Sequence, residues 1–135
     1  APEGRQSYVG DLCFTRRLPA TALPWVGGTF RGTAIGIAPP AIAVAVFGLR
    51  TASVPLASLL PQGQPGCMLL AAPDVRVATL PDAGGAVGTE LVIPYAPALF
   101  GTVVHHQVVA LELDAAGVIM ALTSTNSLEL NVGVF

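Results

Sequence analysis

Short apolar runs bounded by Gly and Pro recur along this 135-residue chain at intervals of about 8 to 12 residues, the spacing of an antiparallel sandwich or barrel. Helical periodicity is almost absent. The runs predict strands near 29–37, 41–49, 67–71, 75–80, 87–93, 102–113, 118–123 and 127–134. In the last of these, Leu128, Leu130, Val132 and Val134 point one way and Ser127, Glu129 and Asn131 the other, the alternation of a half-exposed strand. Segment 41–49 differs. Ile42, Val44 and Val46 share one face and Ala43, Ala45, Phe47 and Leu49 the other. A strand apolar on both faces needs cover on both, from a loop or from a partner subunit.

Turn chemistry separates these runs. Pro39-Pro40 cannot donate to a ladder, so the chain turns or changes sheet there. Asp82-Ala83-Gly84-Gly85 and Asp114-Ala115-Ala116-Gly117 read as hairpin turns, with Gly supplying a positive φ. Residues 94–101 allow one short helical turn, because Pro97 fits a first turn. Residues 1–12 carry Tyr8, Val9 and Leu12 among polar and Gly positions and read as an extended arm, ordered only if it pairs with something. The expected organisation is an arm, 1–12, followed by one all-β domain, 13–135. That domain is expected to be an antiparallel β-sandwich, Ig-like or jelly-roll-like, of about eight or nine strands.

Composition narrows the function classes. The chain is 53% hydrophobic and 10% charged, with 15 Gly and 12 Pro. Disordered segments show the reverse balance. Six basic against eight acidic residues give a net charge of −2, which removes the basic surplus that nucleic-acid binding needs. The charge-free run 51–73 is broken by Pro55, Pro61, Pro65 and Pro73, so no transmembrane helix crosses it. Globular domains average about 25% charged residues, so this surface is unusually bland or is covered by neighbours.

The two Cys, Cys13 and Cys67, fit one disulfide or two buried thiols. They form no CxxC and no zinc spacing. A bridge between them would stabilise by about 4 kcal/mol in the chain-entropy account. The start Ala1-Pro2-Glu3 suits a terminus left by signal-peptide removal, and the expected location is secreted or cell-surface.

Catalytic constellations are wanting. His105 and His106 are adjacent on a strand, so they face opposite ways and cannot chelate one metal together. No G-x-S-x-G elbow accompanies them. Asp82 and Asp114 read as turn formers, and Glu90, Glu112 and Glu129 as outward strand positions. No catalytic, cofactor-binding or metal-binding residue is expected. Among the eight aromatics, Phe30 and Phe47 read as core. Trp25 and Tyr95 lie in loop sequences and are the candidate ligand contacts, since exposed aromatics stack on sugar faces.

A specific set of residues runs through this pattern. Gly63-Gln64-Pro65-Gly66-Cys67-Met68-Leu69-Leu70 is followed by the Asp82–Gly85 turn, Ile93-Pro94, Pro97-Ala98-Leu99-Phe100-Gly101, Gln107 and Thr123-Ser124-Thr125-Asn126-Ser127-Leu128. The chain thereby resembles the uncharacterised β-sandwich modules of secreted planctomycete and myxobacterial proteins. Two departures stand out: Val104 and His105 replace the aromatic pair usual before the Gln, and the usual Thr-Ser-Asn triplet is opened by one residue. The resemblance implies secretion, a sandwich fold and a Cys13–Cys67 pairing, and implies no activity.

Self-association is the leading functional expectation. Low charge, the two-faced strand 41–49, the arm with Tyr8, Val9 and Leu12, and the apolar end with Val134 and Phe135 all point to it. An arm adding to a neighbour's sheet edge would build an extracellular filament or surface layer, a structural homopolymer without enzymatic activity. A carbohydrate-binding or adhesive module of the cell surface, using Trp25 and Tyr95, is the alternative.

Overall fold

The computed structural model describes residues 5–9, 18, 20–22, 27–37 and 40–133. Its strands, in chain order, are β1 (Arg5–Val9), β2 (Ala20–Ala22), β3 (Thr29–Ala34), β4 (Ala41–Gly48), β5 (Thr51–Pro55), β6 (Met68–Ala71), β7 (Val75–Thr79), β8 (Val87–Val92), β9 (Val103–Leu113), β10 (Ile119–Ser124) and β11 (Ser127–Asn131). One helical turn, α1 (Leu56–Leu59), follows β5, and a 3-10 turn, Pro97–Leu99, occupies the segment expected to hold one. The chain is all-β, and every strand pairing between these elements is antiparallel.

A six-stranded sheet runs in the order β1-β11-β9-β4-β7, with β10 also on β9. A three-stranded sheet, β2-β3-β8, and a two-stranded one, β5-β6, accompany it. One core cluster draws on both larger sheets. Phe30, Ala34 and Val87 from the smaller meet Ala43, Ala45, Phe47, Val108, Ala110, Leu128 and Leu130 from the larger. A second cluster, Leu56, Cys67, Leu69 and Leu122, seats β5, α1 and β6 against the opposite face of β9 and β10. Two glycines permit the close approaches this needs. A Cβ on Gly48 would strike the Ala72 carbonyl, and one on Gly63 would strike the Leu56–Ala57 peptide.

The Asp turns form as expected, and the reason is local. Asp82 Oδ1 accepts from Gly84 N and Ala86 N at 2.9 and 3.0 Å, and Asp114 Oδ1 from Ala116 N and Val118 N at 2.8 and 2.9 Å. Gly85 and Gly117 take φ of 81° at the ends of the two turns.

Several expectations need correction. Residues 51–59 hold β5 and α1, where no element was expected; Pro55 ends β5 as the helix N-cap residue. Ser127 is buried, although it keeps the face it shares with Glu129 on β11. The outer face of β4 is covered only at one end: Val46 is buried and Ile42 is 37% exposed. The arm has a partner within the chain, since Arg5–Val9 pairs along β11 from Arg5 opposite Asn131 to Val9 opposite Ser127. Leu12, Cys13, Trp25, Val134 and Phe135 lie outside the described residues. Among the described residues no helix is long and apolar enough to cross a membrane.

Candidate functional site

Part of the motif set, residues 68–70, Gln107 and residues 123–128, meets where β10 gives way to β11. Both pair with the same edge of β9, from Ser124 opposite Val109 to Leu128 opposite His106, so residues 125–127 stand opposite 107–108 and the chain bulges. The bulge is held by side chains. Val108 N donates to Thr125 Oγ1 at 3.1 Å, and that hydroxyl donates to the Asn126 carbonyl at 2.8 Å. Asn126 clamps the backbone of Leu18 at two points, accepting from its N–H at 2.8 Å and donating to its carbonyl at 3.3 Å.

Gln107, opposite the bulge, is fully buried and bonded on both ends of its amide. Its Nε2 donates to the carbonyls of Met68 and Thr125 at 2.9 and 2.8 Å, and its Oε1 accepts from Leu70 N at 2.8 Å. Ser124 Oγ donates to the same Met68 carbonyl at 3.0 Å. Side chains thus satisfy the outer edge of β6, a task usually left to a neighbouring strand. The motif residues here hold the fold together; none of them is presented to a ligand.

The two histidines also divide as their adjacency requires. His106 lies in the main core, stacked on Phe47 with ring centroids 4.0 Å apart and edge-on to Phe30 at 5.6 Å. Its Nδ1 lies 2.9 Å from the Val46 carbonyl, which can only accept, so Nδ1 carries the proton. Nε2 is then the acceptor, and Thr89 Oγ1, at 2.9 Å, donates to it. Burial pushes the His106 pKa down to about 4, opposed in part by the Val46 carbonyl. A neutral imidazole therefore bolts β8 of one sheet to β4 and β9 of the other.

His105 faces away from that core, opposite Glu129 on β11. Two-residue alternation places Ser127 on the same face. His105 Nδ1 and Ser127 Oγ are both buried and have no hydrogen-bond partner. A Ser, a His and a Glu therefore share one face, but Ser127 is 1% exposed and its hydroxyl is bonded to neither. Glu112 accepts from Thr123 at 2.8 Å, and Asp74 accepts from Leu49 N at 3.0 Å. Among the described residues no group of His, Cys, Asp and Glu could hold a metal ion.

Exposed apolar residues are spread over the surface, and two of them lie side by side on β7. All five positions of β7 are exposed, Val75 and Val77 by 51% and 52%. Beside them an open cleft of about 220 Å³ is lined by Ala45, Phe47, Val77, Thr79, Gly88 and Thr89. β7 is the last strand of its sheet and β8 the last of the sheet facing it. This flank is the candidate interaction surface. Sequence reading placed both strands but had no signal for their exposure, which depends on how far one sheet extends beyond the other.

Of the candidate ligand contacts, Tyr95 is 84% exposed and leaves Gly27 no room for a side chain, its Cδ2 lying 2.8 Å from where a Cβ would stand. Positions 8 and 9 belong to β1. Cys67 is buried and is not a free thiol. Comparison with protein-family models, with curated proteins and with solved structures finds no match for this chain.

Proposed function

We propose that this chain is a secreted, non-enzymatic structural subunit that assembles with copies of itself into an extracellular filament or surface layer. On this reading the domain is a β-sandwich of the type its motif residues resemble, closed by a Cys13–Cys67 disulfide that suits an oxidising compartment. The exposed β7 carries the proposal: a five-residue edge strand with two half-exposed valines and one charged residue, Arg76, has few of the charges that usually blunt such edges. The low charge of the chain as a whole supports it.

The six-stranded sheet offers one edge at β7 and the other at β1. β1 pairs with β11 of its own chain, so addition in trans takes the form of exchange, the same strand filling the same edge on a neighbour. Purified protein is expected to show concentration-dependent assemblies by sedimentation and fibres or sheets by negative-stain microscopy. Removing residues 1–9 should abolish the extended assemblies and leave a folded domain. Full-length protein that stays monomeric at high concentration would refute the proposal.

The exposure of Tyr95 favours a second reading, a carbohydrate-binding or adhesive module. Glycan-array binding that disappears in Tyr95→Ala is its expected signature, and an array without signal counts against it.

A further inference from the structure

The six-stranded sheet is wider than the sheet covering it. On β4 the core-side residues Ala43, Ala45 and Phe47 are buried, and their partners on β7 are Thr79, Val77 and Val75. Directly paired residues of antiparallel strands project to the same face, so these three β7 residues belong to the core-side face. They are nevertheless exposed. The covering sheet stops at β8, whose outer edge has no strand partner among the described residues. β7 is thus a shelf one strand wide, with the cleft at its inner corner.

A shelf of this form fits a second copy of itself. The chain reverses through a turn in which Asp82 N donates to the Ala86 carbonyl at 2.9 Å, so β7 and β8 run in opposite directions. Half a turn about an axis parallel to these strands exchanges the two layers and preserves strand direction. The β7 edge of one copy then meets the β8 edge of the other, antiparallel, with both core-side faces turned the same way. Symmetry repeats the contact on the other side of the axis.

We propose that two copies of this chain join flank to flank in such a lap joint, β7 of each extending the covering sheet of the other at β8. Face matching restricts the register, because Val75, Val77 and Thr79 must fall opposite the inward Val87, Thr89 and Leu91 of the neighbour. One such register sets Arg76 opposite Glu90. It pairs Val75 with Leu91, Val77 with Thr89 and Thr79 with Val87 inside, and Ala78 with Gly88 outside. Arg76 and Glu90 are both exposed on outward positions, so each dimer gains two pairs of opposite charge. Within its own chain Glu90 already stands opposite Arg31 on β3, which places it between two arginines in the dimer. The shelf valines become core, and neither edge on this flank is left open. The joint rests on the self-assembly reading and specifies one of its interfaces; the β1 edge, at the far side of the sheet, remains for propagation.

Sedimentation velocity on the full-length chain, over a wide concentration range, tests the joint. Arg76→Glu and Glu90→Arg should each weaken dimerisation about tenfold or more, and the double variant should recover most of the loss. At concentrations where all four are monomeric, Arg76→Glu should melt like wild type and the two chains carrying Glu90→Arg slightly lower, because that change sets an arginine opposite Arg31. Dimers indifferent to the single reversals, or singles that weaken and a double that does not recover, overturn the lap joint while leaving self-assembly through another surface. A wild-type chain that never associates overturns both.

Discussion

Replacing Gln107 by Leu is expected to cost on the order of 4 kcal/mol of stability, read from urea denaturation midpoints at neutral pH. Leu keeps most of the volume, so the loss isolates hydrogen bonding from cavity formation. It strips the partner from Leu70 N–H and from the Thr125 carbonyl, and it leaves Met68 O with Ser124 alone. A buried backbone group without a partner costs about 1–3 kcal/mol; the Thr125 carbonyl is left in a buried place, while Leu70 N–H and Met68 O are part-buried. Gln107→Glu is the sharper comparison. It keeps the acceptor for Leu70 but turns a carboxylate on two carbonyl oxygens, and it should destabilise at least as much. A loss below about 1 kcal/mol in the Leu variant would show that the network carries little of the fold. Against a typical total of about 5–15 kcal/mol, the expected loss is a large share.

The contrast between this residue and its surroundings shows where sequence reading stops. β9 itself was legible over nearly its whole length, because Val, Ala and Leu dominate it on both faces. The Asp82 and Asp114 turns were legible because an Asp bonding its own backbone is a contact within four residues. Gln107 reaches Met68 and Leu70, 39 and 37 positions away, and Asn126 reaches Leu18, 108 away. Nothing local announces such partners. The hydrogen bonds show what Gln107 and Asn126 hold together. The bulge at 125–127 was illegible for the same reason.

The candidate interaction surface fell outside sequence reading in a different way. Val75-Arg76-Val77 announces a strand, and Ala43, Ala45 and Phe47 announce a core face, but exposure at β7 follows from the unequal widths of two sheets. That is a property of strand order, and strand order here is non-local: β4 lies between β9 and β7, and β11 between β1 and β9. The excess of apolar residues was visible in the composition. Its location was not; the structure leaves Val75 and Val77 exposed on β7 and others scattered over the surface.

Stability is expected to fall as the pH drops from 6.5 towards 4, and His106 accounts for the slope. In the folded chain burial holds its pKa near 4, whereas in the unfolded chain it returns to about 6.5. Between these values the unfolded state binds a proton that the folded state refuses, so acid favours unfolding throughout the window and has no further effect through this group below it. At 1.36 kcal/mol per unit, the accumulated loss at pH 4 is about 3 kcal/mol. Above pH 6.5 the imidazole is neutral in both states and contributes no slope. Neutrality is also what its partners require, since a second ring proton on Nε2 would meet Thr89, displace the hydroxyl proton now donated to it, and bury a charge between Phe47 and Phe30 without a carboxylate nearby. Glu90, the acidic residue next to Thr89 on β8, is exposed on the outward face and leaves that charge unpaired. Denaturation of wild type and His106→Gln across pH 4 to 7 isolates this group, since every other ionisable side chain is common to both proteins. The variant should be less stable at pH 7, because the ring packing is lost, yet flatter towards acid, so that the difference between the two proteins narrows as the pH falls. Parallel profiles would mean that His106 accepts its proton in the folded chain and does not join the two sheets as a neutral ring.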